Sequence, residues 1–228
     1  MYCILCGKPI TGEYLLVSGK GPYCLICVRQ RAACDVCGVP VGDGHQILSD
    51  GRRICGQCHQ TAVYNPTTAN AVYEQVRGII TQKLGITLNV PTVLVLVGRD
   101  QLSEILRQAN HSTDDVTHLL GIYVRHGRKR AIYAQSGLPR LLLMQVIAHE
   151  WGHAWQMENA PLLRELQAKE GFAEWVAYKV MAVIGAREIL ARMENRQDVY
   201  GRGLRDVLAL ERECGEVCVF AWCRQTLE

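Results

Sequence analysis

Nowhere does this chain carry a run of about 18 apolar residues, the length that a membrane-spanning helix requires. Its opening residues, Met1-Tyr2-Cys3-Ile4-Leu5-Cys6, also lack the basic and then apolar regions of a secretion signal. Both absences argue against a membrane partner and lead to the expectation of a cytoplasmic protein. An excess of charge of one sign is missing too, since 25 Lys and Arg against 22 Asp and Glu leave a formal +3. Even this excess shrinks if cysteines bind zinc, because four thiolates around a divalent ion carry a net −2. Residues 1 to 60 hold six Lys or Arg and four Asp or Glu, so two such sites would take that segment from +2 to −2. A nucleic-acid partner is therefore left without electrostatic support.

What is present is an ordinary globular composition, 49% apolar and 21% charged over 228 residues, enough for one buried core and a smaller second unit. Eleven cysteines would suggest disulfides in a secreted miniprotein, but eight of them form four C-x-x-C pairs, a spacing that suits zinc. The motif C-x2-C, seventeen residues, C-x2-C occurs twice, offset by 31 residues. A tetrahedral four-thiolate site needs two pairs brought together, and Gly12, Gly19, Gly21, Gly42, Gly44 and Gly51 fit short hairpins that would do so. The expected ligand sets are Cys3, Cys6, Cys24 and Cys27 for one zinc, and Cys34, Cys37, Cys55 and Cys58 for the other. So small a segment has little core of its own, and metal binding is expected to supply its folding energy. His45 and His59 read as surface residues, because cysteines fill both tetrahedra. The module reads either as a surface for a protein partner or substrate, or as a stabilising cap. Cys214, Cys218 and Cys223 lack a C-x-x-C partner and read as buried thiols among Val217, Val219, Phe220 and Trp222.

Cysteine spacing gives way to helical periodicity near residue 62, which divides the chain into a zinc module at 1–61 and a second domain at 62–228. After the Asn65-Pro66 breaker, Ala69, Val72, Tyr73, Val76, Ile79, Ile80 and Leu84 share a helical face, with Gly85 as a stop. Pro91 to Val97 reads as a buried strand and Asp100 to Ala109 as a short helix. Ile122 to Arg125 and Ala131 to Gln135 read as a hairpin around His126-Gly127-Arg128-Lys129, with the basic run Arg125 to Arg130 as a solvated turn. A hairpin placed just ahead of a metal-binding helix offers an edge strand to which an extended peptide can add.

That helix is predicted to start at Pro139 and to run through Met157, and it contains His149-Glu150-Trp151-Gly152-His153. Residues four apart share a helix face, so His149 and His153 can grip one zinc while Glu150 sits beside the open coordination position. Zinc lowers the pKa of a bound water to about 7, and the neighbouring carboxylate can take its proton. A second helix, predicted from Pro161 to Ile184 and closed by Gly185, carries Glu170 as candidate third ligand. Glu174, one turn further on, is the candidate acceptor that orients a ligand histidine. Acidic residues amid Phe172, Trp175 and Val176 are costly unless paired, which favours these roles over solvated helix charges. Gly171 is expected to let the two helices approach closely, and Trp151, Trp155 and Trp175 read as core. After a helix at Ala186 to Arg196, Val199-Tyr200-Gly201-Arg202-Gly203-Leu204-Arg205 reads as a loop that could bring a donor towards an oxyanion.

Together these stretches resemble the DA-one family of LIM-domain zinc peptidases, which limit organ growth in plants and are activated by ubiquitin. The likeness is carried by Gly137-Leu138-Pro139-Arg140-Leu141-Leu142, Ala148-His149-Glu150, His153-Ala154-Trp155, Glu170-Gly171, and Val199-Tyr200-Gly201 with Gly203 and Arg205. It covers about residues 125 to 215, and the tandem zinc module ahead of it resembles the family's LIM domain. The resemblance implies a gluzincin-like peptidase in which His149, His153 and Glu170 match the ligand positions and Glu150 the catalytic base. It also draws Tyr200 and Arg205 forward as candidate catalytic residues. A usual LIM domain has a histidine among its first four ligands and about two residues between its sites, whereas Cys24 and six intervening residues stand here. No acidic helical segment ahead of the module resembles a ubiquitin-interacting motif, so ubiquitin activation and the plant substrates are left open.

The resulting expectation is an α+β chain: a LIM-like double zinc module, then a mainly helical zincin-type metallopeptidase domain with a small β-sheet. It would hold three zinc ions, one catalytic and two structural, and act as an endopeptidase on protein substrates. The zinc module would serve substrate or partner recognition. The alternative is a non-catalytic, zinc-dependent adaptor built on the same fold.

Overall fold

The computed structural model describes residues 1–17, 19–109, 119–127 and 129–225, so Arg128 of the basic turn lies outside the described residues. Two compact units are formed, Met1–Val63 with Gly137–Arg140, and Tyr64–Ser136 with Leu141–Glu228.

In the first unit the two halves of the cysteine repeat fold alike. Tyr14–Val17 (β1) and Gly21–Cys24 (β2) form an antiparallel hairpin leading into Leu25–Gln30 (α1). Gln46–Ile47 (β3) and Arg53–Ile54 (β4) do the same ahead of Gly56–Gln60 (α2). Even the isolated bridges repeat, Tyr2 with Pro9 and Ala33 with Pro40. The expectation of little core needs correction: Tyr23, Val39, Val41 and Ile54 are buried, with Leu5, Leu15, Val17, Val28 and Leu48 packed against them. Both halves therefore share one apolar cluster, which fixes one zinc site against the other. Arg52 is also buried, its guanidinium 2.9 Å from the Asp50 carboxylate. Ala62–Val63 (β5) stays with this unit by pairing with Leu138–Pro139, so the unit does not end at residue 61.

The second unit starts with Pro66–Leu84 (α3). The expected breaker Asn65-Pro66 is its start: Asn65 Oδ1 accepts from Thr67 N at 2.7 Å, and Pro66 opens the first turn, where its missing N–H costs nothing. Val93–Val97 (β6), Arg99–Gln108 (α4), Gly121–His126 (β7) and Lys129–Gln135 (β8) follow. The sheet order is β6-β8-β7, with β8 parallel to β6 and antiparallel to β7. β6 is thus an edge strand with Val93 exposed, rather than a buried strand. Leu138–Pro139 (β9) places Pro139 in a strand, so the helix that follows starts one residue later than expected, as Arg140–Asn159 (α5).

Leu166–Ile184 (α6) begins five residues later than Pro161, because Glu165 caps it, accepting from Gln167 N at 2.9 Å and from Ala168 N. Arg187–Glu194 (α7), Val199–Cys214 (α8) and Glu216–Gln225 (α9) complete the unit. The expected loop at 199–205 is instead the first two turns of α8, capped by Asp198, whose Oδ1 accepts from Gly201 N at 3.0 Å. Close helix contact also falls elsewhere than expected. A Cβ on Gly152 would stand 2.8 Å from Ala173 Cα, so Gly152 is what lets α5 meet α6. A Cβ on Gly171 would stand 2.6 Å from the Gly203 carbonyl carbon, so Gly171 and Gly203 let α6 meet α8. Beside these crossings the chain's two phenylalanines join Trp155 and Trp175: Phe172 stacks on Trp155 at 5.0 Å, and Phe220 meets both tryptophans edge-on. Cys223 is buried, but Cys218 is half-buried and Cys214 exposed, against the expectation for those two. Among the described residues no helix is long and apolar enough to cross a membrane.

Candidate metal centre

Among the described residues three clusters of metal-ligating side chains are present: Cys3, Cys6, Cys24 and Cys27; Cys34, Cys37, Cys55 and Cys58; and His149, His153 and Glu170. In the first cluster Cys3 and Cys27 Sγ stand 3.8 Å apart, as do Cys6 and Cys24; in the second, Cys37 and Cys55 stand 3.8 Å apart. Zinc–sulfur bonds of about 2.3 Å at tetrahedral angles put sulfurs about 3.8 Å apart, whereas a disulfide needs about 2.05 Å. The donors therefore fit zinc, and the eight thiols are free of disulfides. Lys20, between β1 and β2, reaches across to the second cluster, its Nζ 3.4 Å from Cys55 Sγ and 3.2 Å from Cys58 Sγ. Burial lowers the Lys20 pKa, but the thiol contacts outweigh burial and hold it above the usual lysine range, so it offsets part of the thiolate charge.

The third cluster joins α5 to α6. His149 and His153 project their Nε2 atoms to 3.0 Å from each other, and Glu170 Oε2 lies 3.2 Å from the first and 3.3 Å from the second. Zinc–nitrogen bonds of about 2.0–2.1 Å set tetrahedral donors about 3.3 Å apart, so this near-equilateral triangle fits three corners of a zinc site and leaves the fourth free. Each imidazole keeps Nε2 towards the triangle because Nδ1 is engaged elsewhere. His153 Nδ1 is 2.9 Å from Gln156 Oε1, and Gln156 is itself pinned by donating Nε2 to Lys169 O at 2.9 Å. Sequence reasoning missed Gln156; its signal is a buried amide three residues beyond a ligand on the same helix. His149 Nδ1 is 3.4 Å from Glu174 Oε1, too long and bent for a good hydrogen bond, so this contact is chiefly ionic.

Burial pushes the His149 pKa down, yet Glu170 and Glu174 outweigh it and hold the imidazolium well above the usual histidine range. Burial likewise raises Glu170, and the hydrogen bonds from His149 and His153 overcome it, holding that carboxyl far below the usual range. Glu150, 7% exposed, accepts from Tyr123 N at 2.8 Å through Oε2, so its carboxylate is fixed against the outer edge of β7. Tyr200 lies on α8 with its ring 5.9 Å from that of His149, and burial, with a smaller effect from Glu170, pushes its phenol up to about 12. It is therefore a proton donor at neutral pH. Arg205 is placed otherwise: its Nη1 donates to the carbonyls of Glu194 and Arg196, both at 2.7 Å, and clamps the turn between α7 and α8.

A cavity of about 350 Å³ opens onto His149, Glu150, His153, Glu170 and Tyr200, and Leu106, Leu119, Ile122, Met157 and Leu163 give it an apolar side. Tyr123 also lines it, and its buried hydroxyl has no partner among the described residues.

A histidine pair four residues apart on one helix, completed by a carboxylate from the next, resembles a gluzincin-type active site and is consistent with a zincin-like domain. Three curated proteins of Arabidopsis thaliana are similar to this chain. Protein DA1-related 1 is 23% identical over 252 residues, covering 77% of this chain and 45% of its own length. Protein DA1 is 22% identical, covering 78% and 47%, and Protein DA1-related 2 is 21% identical, covering 77% and 47%. The chain thus spans about half the length of the curated relatives it matches. No protein-family model matches the chain. No solved structure matches it.

Proposed function

We propose that the chain is a zinc-dependent endopeptidase. The observation that carries this reading is the triangle of His149, His153 and Glu170 facing a cavity, with Glu150 fixed beside it. Zinc held by those three side chains supplies Lewis acidity towards a water and a peptide carbonyl. Glu150 takes the proton of the attacking water and passes it to the leaving amine. Tyr123 N–H holds one oxygen of Glu150, leaving the other to turn towards the reacting atoms. Tyr200, protonated at neutral pH, donates to the oxyanion that develops on the carbonyl. The outer edge of β7 offers backbone groups to an extended substrate, and the apolar side of the cavity takes up a side chain. Arg205, through the two carbonyls that its Nη1 holds, steadies the α7–α8 turn that leads to Tyr200.

The test is metal counting with turnover. Wild type and Glu150→Gln are expected to carry three zinc ions and His149→Ala two, with cleavage of an unfolded protein substrate falling at least 100-fold in both variants. Undiminished cleavage by Glu150→Gln would remove Glu150 from the mechanism. The first unit supports a recognition role for the zinc module, since it leaves Tyr2, Ile4, Leu16 and Ile26 more than half exposed.

A further inference from the structure

We infer that Arg196 is a positioning residue for this site, setting the Tyr200 ring and the Glu174 carboxylate with one guanidinium; this rests on the peptidase reading above. Arg196 lies in the turn between α7 and α8, and four of its contacts converge. Its Nε and Nη2 donate to Asp198 Oδ2 at 3.0 and 2.7 Å, while the other oxygen of Asp198 caps α8. Its Nη1 is 3.4 Å from Glu174 Oε1, the same oxygen that faces His149 Nδ1. Its Cζ stands 4.6 Å from the centroid of the Tyr200 ring. Both groups that it touches on the site's side, Glu174 and Tyr200, abut the ligand His149.

A flat, five-donor cation suits this task. Its edge forks to carboxylates while its face lies on an aromatic ring, and a lysine ammonium cannot do both. Glu174 is 5% exposed, and its Oε2 has no partner among the described residues, so the fixed cation at Oε1 limits where that carboxylate can swing. The turn keeps holds besides this side chain, since the Asp198 cap on Gly201 N stays in place. Arg205 holds the Arg196 carbonyl at 2.7 Å, and Gly201 admits that carbonyl closely, where any Cβ would collide with it. Removing the guanidinium therefore loosens Tyr200 and Glu174 and frees one oxygen of Asp198, while the Arg205 clamp and the Asp198 cap still hold the turn. Loss of alignment at a group that acts on the transition state lowers kcat and spares KM.

The experiment compares Arg196→Met and Arg196→Lys in the full zinc-loaded chain, alone and combined with Tyr200→Phe, and measures zinc affinity by chelator competition. Both single variants are expected to lose about tenfold in kcat with KM within about twofold. Adding Arg196→Met to Tyr200→Phe should cost nothing further, and millimolar methylguanidinium should restore part of the kcat of Arg196→Met. Affinity for the third zinc should fall by about tenfold, in the same direction as in Glu174→Gln. A wild-type rate in Arg196→Lys, full multiplicativity with Tyr200→Phe, or unchanged zinc affinity would each overturn the inference. Absence of cleavage by the zinc-loaded wild type would sink the peptidase reading instead, and the zinc competition would then decide for or against Arg196 by itself.

Discussion

Two carboxylates face His149, and this makes the metal centre a proton exchanger. Without metal, Glu170 and Glu174 keep the imidazole charged well above its usual range, whereas zinc needs it neutral. Metal uptake at neutral pH must therefore expel a proton, and apparent zinc affinity falls as pH is lowered. The sign for the metal-free fold is the opposite. A raised histidine pKa stabilises the fold below the unfolded value, and that stabilisation is lost as pH rises through the folded value. Titrating zinc into weakly buffered metal-free protein at pH 7 should release about one proton at the third site. Glu174→Gln, which removes one of the two carboxylates, should release measurably less. Equal release from both proteins would mean that Glu174 does not act on His149. Gln156 makes the complementary arrangement at His153, accepting at Nδ1 with no charge of its own.

At the scale of elements, the site depends on two helix crossings made by glycine. A Cβ on Gly171 would meet the Gly203 backbone at 2.6 Å, in a crossing with no flexible side chain to give way. Gly171→Ala should thus separate α6 from α8, destabilise the fold by about 1–3 kcal/mol and displace Glu170 on one side and Tyr200 on the other. Gly78 in α3 is the control: nothing lies within 4 Å of its Cβ position, and Gly78→Ala should stabilise by about 0.5–1 kcal/mol through helix propensity. Denaturant melts of both variants check the pair, and equal shifts would mean that the crossing is not tight.

The same glycines show what was legible in the sequence. His149 and His153 sit four apart on one helix, and the cysteines repeat at a fixed offset, so local spacing alone gives their geometry. Glu170 follows because burial amid aromatic residues demands a partner. Gly201 and Gly203, by contrast, read as a loop, since glycine marks a turn and a close helix crossing with the same letter. Whether Gly152 or Gly171 makes the α5–α6 crossing depends on tertiary pairing, and so does the pairing of Val63 with Leu138. Arg196 was hidden for a similar reason, because beyond its near neighbour Asp198 its partners Glu174 and Tyr200 come from α6 and α8.

For the whole molecule, the peptidase reading proposed above assigns recognition to one of the two compact units and chemistry to the other. The first unit is small, holds eight of the chain's cysteines as two clusters that match tetrahedral zinc, and turns apolar side chains outwards. Its exposed residues are not scattered singly: Leu16 pairs across the hairpin with Pro22, whose carbonyl accepts from Ile4 N at 2.9 Å, so Leu16 at 63% and Ile4 at 56% exposure flank one strand. An apolar patch on a unit already held by metal is not needed for its folding, which suits docking of a protein. The double substitution Ile4→Glu with Leu16→Glu should therefore leave all three zinc ions bound and turnover of a short peptide within about twofold. Cleavage of a protein substrate should weaken through KM by about tenfold or more, because desolvated apolar anchors carry most of the energy of such contacts. Steady-state kinetics on the two substrates, with zinc counted in each preparation, provide the measurement. An equal loss on peptide and protein would place the effect in the fold, and no loss on either would leave the module as a stabilising cap.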